Sequence, residues 1–373
     1  MRFSVITAMT NLLFIFAAGC DGLWNPFYTG NPPDRGTEPP VCVVDAGSSD
    51  GGPGSLLLND WERVASYPCV RWNGITVTPA GDIWMVGSNG TIGFISSEQV
   101  LQVSKVPVPV IVGRGPISST EDLIAVAGYA SSAGSGSNQK AVAISKSSAY
   151  LLDFVGNASV SKIPEVDPGS GRLTSIWLKN AEVGYIATSI NRNFKLTPGG
   201  WIPDSVNGSS SDEIIDVSGD ENSGSIWVLN SNGFIYKLIS GGTWASPKFM
   251  GNELRAANAS ALSVLDDGFV LYGASTGNAG FFEFPAEILT PISGTQNTPA
   301  KYDIFPVAKD NIWFVGDAGN VVNYLGSVSN GGTPVTIMNS YNVALRGVCV
   351  TGSQSQGAVW IVAADGTLYR RLF

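Results

Sequence analysis

Histidine is absent from this chain of 373 residues. Histidine is the usual general acid–base group and the commonest transition-metal ligand, so its absence excludes His-based triads and most metal sites of that kind. Charged residues make up only 14% of the chain, and the formal net charge is −9. A mildly acidic chain has no electrostatic footprint for nucleic acid, and the adjacent pair Arg370 and Arg371 is interpreted as a solvated strand end.

Long helical patterns of charged and apolar residues are also missing. The aromatic and β-branched residues fall in short runs, which Gly, Asn, Ser and Pro interrupt throughout the chain. Gly occurs 45 times and Pro 21 times, and neither residue is common inside long helices. This pattern predicts an all-β protein.

A repeated unit organises most of the sequence. Four stretches combine a short apolar run with a turn, and in each of them a Gly follows a Trp by six residues; the Trp residues are Trp84, Trp227, Trp313 and Trp360. Asn and Gly at such turns tolerate the positive φ of a tight hairpin, so each unit is interpreted as strand, turn and strand. Weaker copies are placed at Ala125, Tyr185 and Val270. The seven anchors are then separated by 41, 60, 42, 43, 43 and 47 residues, a period typical of a β-propeller.

Three further Trp residues indicate fourth strands. Trp201 and Trp244 each precede the next anchor by 26 residues, and Trp61 precedes Trp84 by 23. We therefore predict a β-propeller of seven four-stranded blades over residues 57–373, in which the strand at Trp61 completes the last blade and closes the ring. Six or eight blades stay open, because blades two and three are weakly marked. The anchor Trp residues are interpreted as structural.

The repeats also resemble a known family. The segment Ile83–Gly87, with the sequence Ile-Trp-Met-Val-Gly, its Gly turn and the Trp-led fourth strand resemble the propellers related to photosystem II assembly factors and to bacterial neuraminidase-type repeats. The resemblance implies a propeller and, for most of that family, an assembly or interaction function. Its sialidase branch would require clustered arginines and a Ser-x-Asp-x-Gly-x-x-Trp box. Arginine is sparse here, and Ser240–Trp244 only approximates the end of that box.

The start of the chain is typical of an export signal. A charged start and a short apolar segment are followed by Ala17-Ala18-Gly19-Cys20, which resembles the lipobox of bacterial lipoproteins, although Ala17 stands where that family prefers Leu. By that resemblance residues 1–19 are a signal peptide and Cys20 carries a lipid. An ordinary secretory signal with an incidental Cys20 is the alternative. Residues 20–56 are rich in Pro, Gly, Asp and Ser, and we interpret them as a mostly disordered linker.

Few residues stand out as candidate sites. An exported chain can form a disulfide, and Cys42 with Cys69 is the predicted pair, with Cys69–Cys349 as the competitor. Cys349 alternates with apolar residues and is interpreted as a buried free thiol. Arg71 and Trp72, at the start of the first inner strand, are candidate binding residues. We predict no cofactor, no metal site and no catalytic residue.

Two functional hypotheses follow. The favoured one is a non-catalytic cell-envelope lipoprotein, held at a membrane by the lipid on Cys20, whose propeller binds a protein or glycan partner at one end of its channel. The outer membrane is favoured over the inner one. The alternative is an enzyme of the glycosidase or lyase type that acts on envelope or extracellular polysaccharide through carboxylates at the channel mouth.

Overall fold

The computed structural model of this chain describes residues 61–100, 109–130, 139–155, 157–206, 213–238, 242–245, 248–249, 258–266, 268–283, 288–292, 295, 299–326, 334–338, 343–353 and 356–373. The predicted signal peptide, the predicted linker, Cys20 and Cys42 lie outside these residues. None of the helices in the described ranges is long and apolar enough to span a membrane.

The described residues form 28 strands, one short helix, Ser97–Val100 (α1), and two 3-10 turns, Ser88–Gly90 and Asp317–Gly319. In chain order the strands are Glu62–Ser66 (β1), Trp72–Val77 (β2), Ile83–Gly87 (β3), Ile92–Ile95 (β4), Val110–Val112 (β5), Leu123–Ala130 (β6), Gln139–Ser145 (β7), Ala149–Val155 (β8), Asn157–Lys162 (β9), Leu173–Leu178 (β10), Gly184–Thr188 (β11), Asn193–Thr197 (β12), Gly200–Asp204 (β13), Ile214–Gly219 (β14), Ile226–Asn230 (β15), Phe234–Leu238 (β16), Lys248–Phe249 (β17), Ala259–Asp266 (β18), Phe269–Ala274 (β19), Ala279–Glu283 (β20), Ile288–Pro291 (β21), Lys301–Ala308 (β22), Asn311–Gly316 (β23), Val321–Leu325 (β24), Pro334–Met338 (β25), Leu345–Ser353 (β26), Gln356–Ala363 (β27) and Thr367–Leu372 (β28).

These strands make seven antiparallel sheets of four strands each, and the sheets are the blades of a β-propeller. Six blades take four consecutive strands, beginning with the inner one. The seventh has the order β26-β27-β28-β1, so the strand after Trp61 supplies its outer edge. The inner strands contact one another in sequence around the ring, and β26 contacts β2. The predicted blade number and the predicted closure are both confirmed.

The core is divided among the spaces between blades. Seven apolar clusters of buried residues are present in the described part of the chain, and each joins two neighbouring blades. The second strand of a blade is buried along its whole length, as in β3 and β15. A strand buried on both faces needs a continuous apolar run, which explains why the repeats do not alternate in polarity.

The anchor Trp residues pack between blades, as the sequence predicts. All four are fully buried, and each lies in the cluster that its blade shares with the following one. Trp313 of the sixth blade meets Trp61 of the seventh edge to face, with ring centroids 6.3 Å apart. The turn glycines six residues after the anchors all have positive φ; they are Gly90, Gly233, Gly319 and Gly366. An L side chain is unfavourable in that conformation, so the spacing reflects the hairpin geometry.

The expected layout of the second blade is wrong in detail. Ala125, which was aligned with the second-strand anchors, lies in the inner strand β6, and the residue that corresponds to Trp84 is Val142 in β7. In the fifth blade the corresponding residue is Leu271, one place after Val270. The Gly/Ser-rich stretch at 131–138, which lies outside the described residues, separates β6 from β7. An apolar run such as Leu123–Val126 looks alike in an inner or a second strand, so periodicity alone could not place it.

Arg370 is not the solvated residue that its position beside Arg371 suggested. Its side chain is 2% exposed, and its Nε and Nη2 atoms donate to Oε2 of Glu62 at 2.9 and 2.6 Å. Its guanidinium also lies 5.7 Å from the ring centroid of Trp360. This ion pair joins the first and last strands of the ring.

We expect the Glu62–Arg370 pair to stabilise the closure. In Glu62→Gln the buried guanidinium loses the carboxylate charge that faces it, and we expect the free energy of unfolding to fall by about 3 kcal/mol. The matched control is Arg172→Gln, which breaks an ion pair whose arginine is 55% exposed and should cost less than about 1 kcal/mol. Urea unfolding followed by Trp fluorescence measures both. Equal losses in the two variants would contradict a special contribution of the buried Glu62–Arg370 pair to stability.

Candidate binding site at the channel mouth

All seven inner strands begin with the same local geometry. In each, the pairing with the second strand shifts register between the first and third residues, so the second residue is bulged out of the ladder. A β-bulge bends the strand and redirects the side chain of the extra residue. The seven bulged residues are Asn73, Ile124, Thr174, Ile215, Ser260, Tyr302 and Arg346. We call the end of the channel where the inner strands begin the mouth.

The residue just before each inner strand is here named the lead residue. In six blades the carbonyl of the lead residue accepts a hydrogen bond of 2.8–3.1 Å from the first residue after the second strand; these lead residues are Arg71, Arg172, Glu213, Asn258, Ala300 and Ala344. The lead residues are therefore held by the hairpin turns of their own blades. Their side chains are presented at the mouth on a fixed backbone.

Charged lead residues pair across neighbouring blades. Arg71 Nη2 lies 3.0 Å from Asp122 Oδ2, and Arg172 Nη2 lies 2.6 Å from Glu213 Oε1. Each arginine thus contacts the lead residue of the next blade. The lead residues of blades five to seven carry no charge, being Asn258, Ala300 and Ala344. The mouth is consequently asymmetric, with paired charges on blades one to four.

Three bulged residues connect blades. Asn73, Thr174 and Ser260 each donate a side-chain hydrogen bond of 2.7–2.9 Å to the carbonyl of the first inner-strand residue in the next blade. The bulged residues of blades six and seven instead contact each other. The guanidinium carbon of Arg346 lies 4.3 Å from the ring centroid of Tyr302, and the Tyr302 hydroxyl donates to Asp317 Oδ2 at 2.6 Å.

Deeper in the channel, two carboxylates occupy equivalent places. Asp216 and Asp303 are the third residues of β14 and β22, and each accepts the backbone N–H of the fourth residue in the next inner strand, Leu262 at 2.6 Å and Val348 at 2.9 Å. Burial raises the pKa of Asp216 to about 6, although hydrogen bonds, including one from the Ser175 hydroxyl, oppose the shift. Burial, with a smaller contribution from the charge of Asp216, raises the pKa of Asp303 to about 7.

The candidate site residues predicted from the sequence differ in their exposure in the structure. Trp72 is fully buried, with its indole N–H on the carbonyl of Gly366 at 3.0 Å, so it packs the blade and presents no surface to a partner. Arg71 is 56% exposed at the mouth. Cys69 is exposed and Cys349 is buried, and no disulfide joins the two. The Cys42–Cys69 pairing stays a prediction.

Sequence reasoning missed Tyr302, Asp303 and Arg346. Each lies in an inner strand whose alternation is broken by the bulge, and their partners come from the neighbouring blade. Aligning the seven inner strands at their first residues would have placed Asp303 level with Asp216. In the described part of the chain, no cluster of three or more Cys, Asp or Glu side chains could hold a metal ion.

A β-propeller of seven blades with its candidate site at one channel end is the class that the geometry defines. No family model matches the sequence, and no curated protein matches it. Among solved structures, the chain is similar to YCF48 bound to D1 peptide, with a TM-score of 0.62, 16% identity and coverage of 84% of this chain and 96% of that one. It is also similar to YCF48 from Cyanidioschyzon merolae, with a TM-score of 0.61, 15% identity and coverage of 84% and 98%. At these identities the likeness is one of fold, and at that level the expected resemblance is confirmed.

The two channel carboxylates predict a dependence of stability on pH. A carboxyl whose folded pKa exceeds its unfolded value of about 3.9 stabilises the fold fully below that value and loses this contribution as the pH rises through the folded pKa. We expect the free energy of unfolding to fall between pH 4 and pH 8. Asp303→Asn should remove the part of this decrease near pH 7.

Asp216→Asn is the companion variant. It removes a charge that raises the pKa of Asp303, so the remaining decrease should move to lower pH. Urea unfolding of the wild type and both variants from pH 4 to pH 8 measures these changes. Parallel profiles for all three proteins would show that neither carboxyl titrates as described.

Proposed function

We propose that this chain is a non-catalytic platform that binds a polypeptide segment at the mouth of its propeller. The observation that carries the proposal is the contrast between the channel and the mouth. In the channel, Asp216 and Asp303 are engaged in bonds between blades. At the mouth, the lead and bulged residues form a rigid ring that carries charged side chains such as those of Arg71 and Arg346. Such an arrangement suits recognition of a partner.

The comparison with solved structures supports a peptide as the partner. One of the similar propellers is described as YCF48 bound to D1 peptide, so a propeller of this fold can hold a peptide. A peptide offers backbone N–H and C=O groups together with charged side chains. A rim that alternates Arg with Asp or Glu complements such a mixture better than it complements a neutral glycan.

The enzymatic alternative gains no specific support. A glycosidase needs two carboxyl groups that face a substrate. Asp216 and Asp303 each accept a backbone N–H of the adjacent inner strand, so both are engaged in contacts between blades. The mouth carboxylates Asp122, Glu213 and Asp317 each have a partner from Arg71, Arg172 or Tyr302.

Site-specific photo-crosslinking in cells tests the proposal. A benzophenone amino acid is placed at an exposed mouth residue, Lys146, Ile190 or Asp365, or at the opposite end, Ala80, Asn222 or Asp310. We expect the same crosslinked partner from at least two mouth positions and none from the opposite end. A partner captured only from the opposite end, or no crosslink from any position, contradicts the proposal.

We also propose that a lipid on Cys20 holds this platform at a membrane of the cell envelope, with the outer membrane favoured, and that residues 20–56 act as the spacer. The support is the lipobox-like Ala17–Cys20 segment and the composition of residues 20–56. Metabolic labelling with an alkyne fatty acid should label the wild type and leave Cys20→Ser unlabelled. Cys69→Ser, which changes an exposed cysteine of the propeller, should be labelled like the wild type. Label retained in Cys20→Ser would exclude this anchor.

A further inference from the structure

The bulged residue of the last blade, Arg346, differs from its six counterparts in what it contacts. Three counterparts donate to the next blade's backbone, and two are the aliphatic residues Ile124 and Ile215. The remaining one, Tyr302, stacks against Arg346 itself. Arg346 Nε is buried and has no hydrogen-bond partner in the described residues. A buried, unpaired N–H is unfavourable, so this guanidinium has donor capacity that the described residues do not use.

The arginines of the mouth also differ in their charge partners. Arg71 and Arg172 are ion-paired with the lead carboxylates of the following blades. Arg346 forms no ion pair with any described carboxylate. In the blade that follows it around the ring, the lead residue is Arg71. Arg346 therefore contributes a positive charge that the neighbouring lead residues do not neutralise.

The orientation of Arg346 is set by its neighbours. Its guanidinium lies on the ring of Tyr302, and the Tyr302 hydroxyl is held by Asp317 at 2.6 Å. An aromatic ring against a guanidinium restrains its orientation, and the five N–H donors of the guanidinium can serve more than one acceptor. A planar fork of donors with a fixed orientation matches a carboxylate, which accepts two parallel hydrogen bonds.

We propose that Arg346, positioned by Tyr302, binds a carboxylate of the segment that docks at the mouth. This inference rests on the proposed function and names the chemistry of one contact in it. The carboxylate is either the C-terminus of the segment or an Asp or Glu side chain, since both present the same planar acceptor. Tyr302 is a positioning residue, and Arg346 makes the contact.

Nuclear magnetic resonance of the full chain labelled with 15N-arginine tests the site directly. The Nε–H resonance of Arg346, assigned by its loss in Arg346→Lys, is followed during titration with three probes. N-acetylglycine carries only an α-carboxylate, acetyl-glutamate α-amide carries only a side-chain carboxylate, and N-acetylglycinamide carries neither. We expect a saturable shift with at least one carboxylate probe and none with the amide, and the carboxylate that acts identifies the source.

Controls are present in the same spectrum. Arg71 and Arg172 are already paired, so their Nε–H resonances should move little. In Tyr302→Leu, which retains every charge but removes the stacked ring, binding of the carboxylate probe should weaken about tenfold. The inference is overturned if Arg346 responds to neither carboxylate probe, if it responds equally to the amide, or if the three arginines shift equally.

Crosslinking separates this inference from the proposed function. With the benzophenone residue at Asp365, Arg346→Gln should lower capture of the partner about tenfold, whereas Lys309→Gln, which changes an exposed cation at the opposite end of the channel, should leave it near the wild-type yield. Equal capture by both variants would refute the contact at Arg346 while leaving the platform function intact. No capture by the wild type would contradict the platform function, and the nuclear magnetic resonance titration would still decide whether Arg346 binds carboxylates.

Discussion

The structure depends on packing between blades, because a four-stranded sheet that is apolar on both faces cannot stay folded alone. Burying one large side chain stabilises a fold by about 1.5–3 kcal/mol, and each blade offers such side chains to both neighbours. A linear stack would leave two apolar faces in water at its ends. Closing the ring removes those faces, and pairing of β1 with β28 makes the closing blade from both parts of the chain.

The inner strands add a polar constraint to this apolar packing. Contacts between adjacent inner strands follow one register. A bulged side chain donates to the carbonyl of the first residue in the next inner strand. A carboxylate at the third position accepts the backbone N–H of the fourth residue in the next inner strand, as Asp216 does from Leu262. The same register in different blades means that the inner strands run parallel around the channel. An inner strand has an unpaired edge, and its N–H groups need acceptors. Asp216 and Asp303 supply such acceptors, at the cost of burying a carboxylate.

The sequence predicted the features that depend on local chemistry and missed those that depend on neighbours across the ring. The Trp-to-Gly spacing follows from a hairpin within one blade and predicted the repeat. The spacing of the anchors and of the Trp-led fourth strands then predicted the blade number and the closing strand at Trp61. The placement of Ala125 was wrong because a short apolar run carries no information about which strand it occupies. Tyr302 and Arg346 are 44 residues apart, and their contact exists only because two bulges face each other across a blade interface.

The seven blades allow an internal comparison of equivalent positions. The fourth residue of every inner strand is a buried aliphatic residue; the set is Ile75, Val126, Ile176, Val217, Leu262, Ile304 and Val348. The lead and bulged positions, on the same backbone frame, range from Ala to Arg. Packing therefore restricts one position in all blades, whereas nothing in the fold requires an arginine at the bulge of the last blade. A residue that the fold does not require, placed against a tyrosine from the preceding blade, supports the proposed contact with a partner outside the ring.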